Sequence, residues 1–333
     1  KISIETLSKM TGNKCIGITG GGGYLGTGLI LKCLNEGFEV GALFHKTAPR
    51  IKHPRLKWVQ GDINDLNQLK QTFKEVDLLI HCAAIISLDQ HSKTLVRRVN
   101  VDGTNTIIAL CKFLKAKLIY ISSSTAIVDP SNDQTFNEEG PYRKPEDFYY
   151  GYTKALCEKA VLKAVKEDGL EAFILRPSSI VGAPDYRPSL FGKALLKMNQ
   201  GKLPVLSTGG HHMVDLRDLC QTIVNSFEHG KTGQIYLLGG PYISIARLAK
   251  LCRPKGVFFA LPAELLMLFV PLIERLSSTF GFDTALSKTS IRLLKQASKR
   301  IDCSKAQKAL GHTNRPIEET VTDFLNWSKS QKR

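Results

Sequence analysis

A short apolar run at 14–19 opens into four consecutive glycines, Gly20 to Gly23, and a helix-like stretch begins at once with Tyr24. Few folds accept strand, glycine turn and helix in that order and spacing. With glycines at 20, 23 and 26, the first can make the tight turn and the second can admit a pyrophosphate to the backbone. Gly26 can let the helix sit close to the sheet, and the helix N-terminus offers its free N–H groups to negative charge. A flexible glycine loop is the plain alternative.

The rest of the chain decides between them. Strand candidates at 38–44, 56–59, 77–81, 117–121 and 171–175 alternate with helix candidates at 65–73, 92–114 and 149–168. Such alternation predicts a parallel sheet covered on both faces, an α/β Rossmann-type doubly wound fold. Pro130, Gly140, Pro141 and Pro145 mark 128–148 as a long loop that lines a site. Past Gly182 the rhythm loosens. We therefore expect a dinucleotide-binding domain over 14–182 and a smaller substrate lobe over 183–333, with some segments returning to the core.

At 333 residues and 43% hydrophobic content, the chain fills a large core, which excludes disorder. Eight single cysteines without a CxxC pair predict reduced thiols, and polar residues 1–14 show no signal-peptide core, so a cytoplasmic setting is expected. Lys plus Arg number 46 against 30 Asp plus Glu, a net charge of +16. That excess suits a nucleic acid, an anionic membrane surface or an anionic ligand; no nucleic-acid module is recognisable, so that partner is not expected.

After the second strand, where a carboxylate would accept hydrogen bonds from ribose hydroxyls, the chain carries Phe44-His45-Lys46 and no acid until Asp62. A cationic rim suits a 2′-phosphate, so His45 and Lys46 predict NADP over NAD. The alternative is that both face water. Tyr150 and Lys154 stand four apart on a helix, so both side chains leave one face, and a nearby ammonium lowers a phenol's pKa. Ser122-Ser123-Ser124 ends the strand at 117–121, where parallel sheets place their chemistry. We expect Ser124 to hydrogen-bond the substrate oxygen and Ser123 to support it; a cap or turn role is the alternative.

Together these residues resemble the extended short-chain dehydrogenase/reductase superfamily over nearly the whole chain. TGxxGxxG reads as Thr19 to Gly26, the adenine-side acid as Asp62 followed by Ile63, and HxAA as His81 to Ala84. NVxGT is Asn100 to Thr104, YxxxK is Tyr150 with Lys154, RPxxxxG is Arg176 to Gly182, and VDVRDV is matched by Met213 to Leu219. The resemblance implies Tyr150 as general acid/base, Lys154 as the pKa-lowering, ribose-binding residue, Ser124 as carbonyl orienter and Asn100 as support for the helix geometry. Gly20, Gly23, Tyr24, Leu25, Gly26, Asp62, Ile63, Ala83 and Ala84 would line the nucleotide, with Pro177 and Ser178 at the nicotinamide. Val128-Asp129 stands where sugar-nucleotide epimerases carry Tyr-Gly, which favours the branch of 3β-hydroxysteroid dehydrogenases and dihydroflavonol-like reductases. The expectation is an alcohol/ketone oxidoreductase on a hydrophobic substrate; an epimerase/dehydratase and a non-catalytic NAD(P) sensor are the alternatives. Such proteins often dimerise through helices corresponding to 92–114 and 149–168.

Three further features lie toward the C-terminus. Asp185, Tyr186, Arg187, Phe191 and His211 are expected to border the substrate pocket, and His211-His212 lacks a third ligand at motif spacing, so no metal is expected. Residues 256–273 form an apolar block containing Glu264, Pro262 and Pro271, which reads as an interfacial helix or substrate entrance, a buried helix, or a bilayer span. Lys288, Arg292, Lys295 and Lys299 fall on one helical stripe, a pattern that suits an anionic membrane surface or a solvated face.

Overall fold

The computed structural model describes residues 15–46, 51–87, 92–130, 134–280 and 287–331; residues 1–14 of the sequence reading lie outside them. Seven parallel strands form the central sheet: β1 (Cys15–Thr19), β2 (Glu39–Phe44), β3 (Leu56–Gln60), β4 (Val76–His81), β5 (Lys117–Ile121), β6 (Ala172–Pro177) and β7 (Ile235–Leu238). Their order is β7-β6-β5-β4-β1-β2-β3. Ile16, Ile18, Leu79, Ile80, Leu118, Ile119, Phe173 and Ile174 are all buried, the continuous apolar strand reading that a sheet covered on both faces requires. β7 joins this sheet from beyond residue 182, pairing in parallel with β6.

Helices α1 (Tyr24–Asn35), α2 (Leu66–Thr72), α3 (Gly103–Leu114), α4 (Tyr149–Asp168), α5 (Leu190–Asn199), α6 (Leu216–His229) and α7 (Ile245–Cys252) follow in chain order. Leu29 and Ile30 of α1 and Leu219 and Ile223 of α6 cover one sheet face. Ile107 and Leu110 of α3 and Val161 of α4 cover the other. The helix expected over 92–114 is composite: an α-helical turn, Lys93–Arg97, passes into a π-helical segment, Arg98–Asp102, before α3 begins. The wide turn falls on Asn100, and π-turns recur at functional positions.

A second core around Val181, Leu195, Met213, Leu248 and Phe324 organises the C-terminal lobe. The apolar block is divided there between a short strand, Phe259–Leu261, and helix α8 (Ala263–Phe280). The basic helix is α9 (Lys288–Gln296), so Lys299 lies past its end and does not share the stripe. All eight cysteines are free thiols.

Candidate active site

The strand order reverses between β1 and β4, and the crevice outside the carboxyl ends at such a point is where open α/β sheets bind ligands. Gly20 takes φ +70°, and a Cβ there would lie 2.7 Å from the Ala83 nitrogen. A Cβ on Gly26 would lie 2.2 Å from the Gly20 carbonyl oxygen. Gly26 thus lets the helix approach the glycine turn itself, a closer constraint than the sheet packing its spacing suggested. Gly23 caps α1 without a side-chain hydrogen bond, which leaves the first N–H groups of the helix facing the turn. The Tyr24 hydroxyl donates to the Gly182 carbonyl at 2.6 Å and ties this end of α1 to the chain entering the second lobe.

Around the adenine-side positions, Asp62 accepts from the Asn64 backbone N–H at 3.0 Å, which with its other contacts holds its carboxyl below the usual range. Arg98 pairs with it at 3.3 Å. Ile63 is buried against Gly103. His45 and Lys46 are exposed just past β2. At the other end Pro177 and Ser178 are buried, and the Ser178 hydroxyl has no hydrogen-bond partner. A glycine turn just past β1 and an orphaned buried hydroxyl just past β6, both at the carboxyl edge of one parallel sheet, fit a dinucleotide, and Ala83 and Ala84 past β4 are half-buried at the same edge.

A buried chain of hydrogen bonds joins this cradle to α4. The Ala83 N–H points at Thr19 Oγ1 (3.3 Å), Thr19 Oγ1 lies 2.7 Å from His81 Nδ1, and His81 Nε2 lies 3.0 Å from Thr104 Oγ1. Thr104 in turn donates to the Asn100 carbonyl at 2.6 Å. One assignment satisfies every link: Thr19 donates to Nδ1, and Nε2–H donates to Thr104. His81 is therefore neutral, and burial pushes its pKa down to about 3. The Asn100 side chain accepts from the Ile85 N–H (2.8 Å) and donates to the Ile85 carbonyl and to Thr153 Oγ1 (both 3.1 Å). Thr153 donates to the Tyr150 carbonyl at 2.7 Å, so Asn100 is linked through Thr153 to the first turn of α4.

The three serines have separate tasks. Ser122 donates to Glu158 at 2.5 Å, and Arg176 grips the same carboxylate with two bonds of 2.8 and 2.6 Å. Ser123 accepts from the Thr125 N–H at 3.2 Å, lies 2.8 Å from the Thr125 hydroxyl, and is the serine whose hydroxyl acts to lower the Tyr150 phenol's pKa. Ser124 opens a 3-10 turn, Ser124–Ala126. Ser123 is the residue that caps that turn. Ser124, the residue preferred from sequence, is the first residue of the turn itself, half-buried at the carboxyl end of β5.

Tyr150 is buried, which raises its phenol well above the ordinary value; the Ser123 hydroxyl acts in the opposite direction. Lys154 is also buried, which lowers its pKa. Its ammonium donates to the Ile121 carbonyl at 2.7 Å and to the Tyr120 hydroxyl at 3.2 Å. These two acceptors hold the ammonium one turn along α4 from Tyr150.

Sequence reasoning missed Glu158, although 150, 154 and 158 form one i, i+4 series on the buried side of α4. It also missed the pair that Asp129 makes. Arg143, buried, reaches Asp129 at 3.1 Å and the Thr125 carbonyl at 3.0 Å, pinning the serine turn from behind. The Val-Asp departure thus has a structural partner. Among the pocket candidates, Phe191 packs edge-on against His211 with centroids 5.4 Å apart, and burial lowers His211 to about 4. Asp185 is buried, accepts from Ser189 through Oδ2 and leaves Oδ1 without a partner. Tyr186 packs on Trp327, and Arg187 is exposed. Both ring nitrogens of His212 lie at backbone carbonyls.

Known proteins share this arrangement. The sequence pattern of the NAD dependent epimerase/dehydratase family matches residues 16–239. A putative dihydroflavonol 4-reductase of Synechocystis sp. is 27% identical over 328 residues, 94% of each chain. The sterol-4-alpha-carboxylate 3-dehydrogenase, decarboxylating, of Mus musculus is 32% identical over 222 residues, 65% of this chain and 58% of that one. The crystal structure of gox2253 superposes with a TM-score of 0.83 at 26% identity, covering 96% of this chain and 99% of that one. Cradle, buried relay, YxxxK helix and matching relatives lead to one assignment: the chain belongs to the NAD dependent epimerase/dehydratase family, the extended short-chain dehydrogenases/reductases.

Proposed function

We propose that the protein interconverts a secondary alcohol and a ketone on a hydrophobic, ring-containing substrate. One observation carries this reading: the first turn of α4 packs on the serine turn at the carboxyl end of β5, where a Cβ on Gly151 would lie 2.2 Å from the Thr125 carbonyl oxygen, with Tyr150 and Lys154 buried beside it. The bound nicotinamide supplies or accepts the hydride. Ser123 donates a hydrogen bond to the substrate oxygen, and Tyr150 delivers the proton to it in reduction or withdraws it in oxidation. Lys154, held by Ile121 and Tyr120, contributes positive charge and a donor for ribose. Thr153 and Asn100 fix the turn from which Tyr150 projects.

The substrate class is supported by relatives named as a dihydroflavonol reductase and a sterol carboxylate dehydrogenase, and by the Phe191–His211 wall, whose imidazole is neutral. The family also contains epimerases and dehydratases, which use the same proton transfers without net cofactor consumption. Steady-state assay on a panel of steroid and flavonoid ketones and alcohols separates the two. The proposal expects one nicotinamide oxidised or reduced per product, and a loss of roughly 10²–10⁴-fold in Tyr150→Phe with nucleotide affinity unchanged. Turnover of a nucleotide sugar with no change in free cofactor would refute it.

NADP is the preferred cofactor in this reading, because the exposed His45 and Lys46 follow β2 and no carboxylate stands between the end of β2 and Asp62. Lys46→Glu should raise the KM for NADP far more than that for NAD. Equal effects would remove the preference.

A further inference from the structure

Helix α8 has two unlike sides. Ala263, Leu266 and Val270 are buried and, with Ile291 of α9, form a small cluster of their own. At 100° per residue, Leu265, Leu268 and Phe269 fall on the opposite side. They are 41%, 75% and 50% exposed, and Val257 and Phe259 on the approach to the helix are 72% and 60% exposed. Single exposed apolar residues are ordinary, but a stripe at i, i+3 and i+4 on a helix already packed by its other side is not accounted for by the core.

Its surroundings are cationic. Lys288, Arg292 and Lys295 are exposed on α9 at spacings of four and three, Lys295 pairs with Glu264 in the first turn of α8, and Lys255 is exposed just before the apolar approach. Among the described residues no helix is long and apolar enough to cross a membrane, and Pro271 lies inside α8. We propose that the outer side of α8 with the cations of α9 is a docking surface for an anionic lipid bilayer, the helix lying in the plane of the interface. Charge decides against a second copy as the occupant. Face-to-face pairing of this surface would bring Lys288 and Arg292 toward their own like, whereas anionic headgroups complement them while acyl chains receive Leu268 and Phe269. The inference does not depend on the reaction assigned to the cleft.

Flotation of the full chain on phosphatidylcholine vesicles, with and without phosphatidylglycerol, tests it. The chain should float with the anionic vesicles. Leu268→Glu/Phe269→Glu should lower the bound fraction roughly tenfold or more, and Lys288→Glu/Arg292→Glu should abolish the dependence on phosphatidylglycerol. Nucleotide binding by fluorescence should match the parent in both variants, since neither touches the glycine turn. Failure of the parent to float on anionic vesicles would overturn the proposal, as would equal flotation of the Leu268→Glu/Phe269→Glu variant. So would a variant that keeps its vesicle binding and instead falls to a smaller oligomer by light scattering, which marks the surface as one for a second copy.

Discussion

Around Thr19 and Tyr150, buried polar groups are tied to one another through short links. Ala83, Thr19, His81, Thr104, Asn100, Thr153 and Tyr150 form one continuous series, and Ser122, Glu158 and Arg176 form another beside it. Along α8 a side-chain polar contact is an exposed ion pair, Lys295 with Glu264, and large apolar side chains face outward. The first region fixes atoms to within a hydrogen bond and exposes little; the second fixes little and exposes much. Chemistry demands the former, because a misplaced donor loses most of its effect on a transition state. Association with a broad surface is compatible with the latter.

The contrast can be broken by substitution. Arg176→Met should cost the most, about 3–5 kcal/mol in urea unfolding, because Glu158 is left as a buried carboxylate without its counter-charge. A loss below about 1 kcal/mol would mean the network is not closed as described. Gly26→Ala should cost about 1–3 kcal/mol by overpacking against the Gly20 carbonyl and should weaken dinucleotide binding, read by titration calorimetry.

The pH dependence sharpens the same point. His81 has a folded pKa of about 3 against 6.5 in the unfolded chain, so the unfolded state alone takes the proton between those values. Its contribution to stability is complete above 6.5 and is lost as pH falls toward 3, at about 1.4 kcal/mol per pH unit. His81→Asn should flatten the acid side of a stability profile measured by urea midpoints. The smallest effect belongs to the other region: Leu268→Ala should change stability by less than about 0.5 kcal/mol, since the side chain leaves water only on docking.

The sheet and its glycine turn were legible because periodicity and spacing are local properties of the chain. The spacing that puts Tyr150 and Lys154 on one buried side of α4 was legible for the same reason. The division of labour among Ser122, Ser123 and Ser124 was not, because three identical hydroxyls in a row differ only in the backbone direction at the end of β5. Glu158 and the Arg143–Asp129 pair depend on contacts across 18 and 14 residues or more, which no window of sequence displays. The cationic stripe was read with Lys299 in it because nothing in the composition marks the end of α9 at Gln296.

The central claim is that the hydroxyl of Ser123 and the phenol of Tyr150 act on one substrate oxygen. Transfer of deuterium from 4-deuterated reduced nicotinamide to a ketone, followed by mass spectrometry in Ser123→Ala and Ser124→Ala, tests it most directly. The account predicts that label transfer falls roughly a hundredfold in Ser123→Ala and stays near the parent rate in Ser124→Ala. Transfer retained in Ser123→Ala and lost in Ser124→Ala would contradict it.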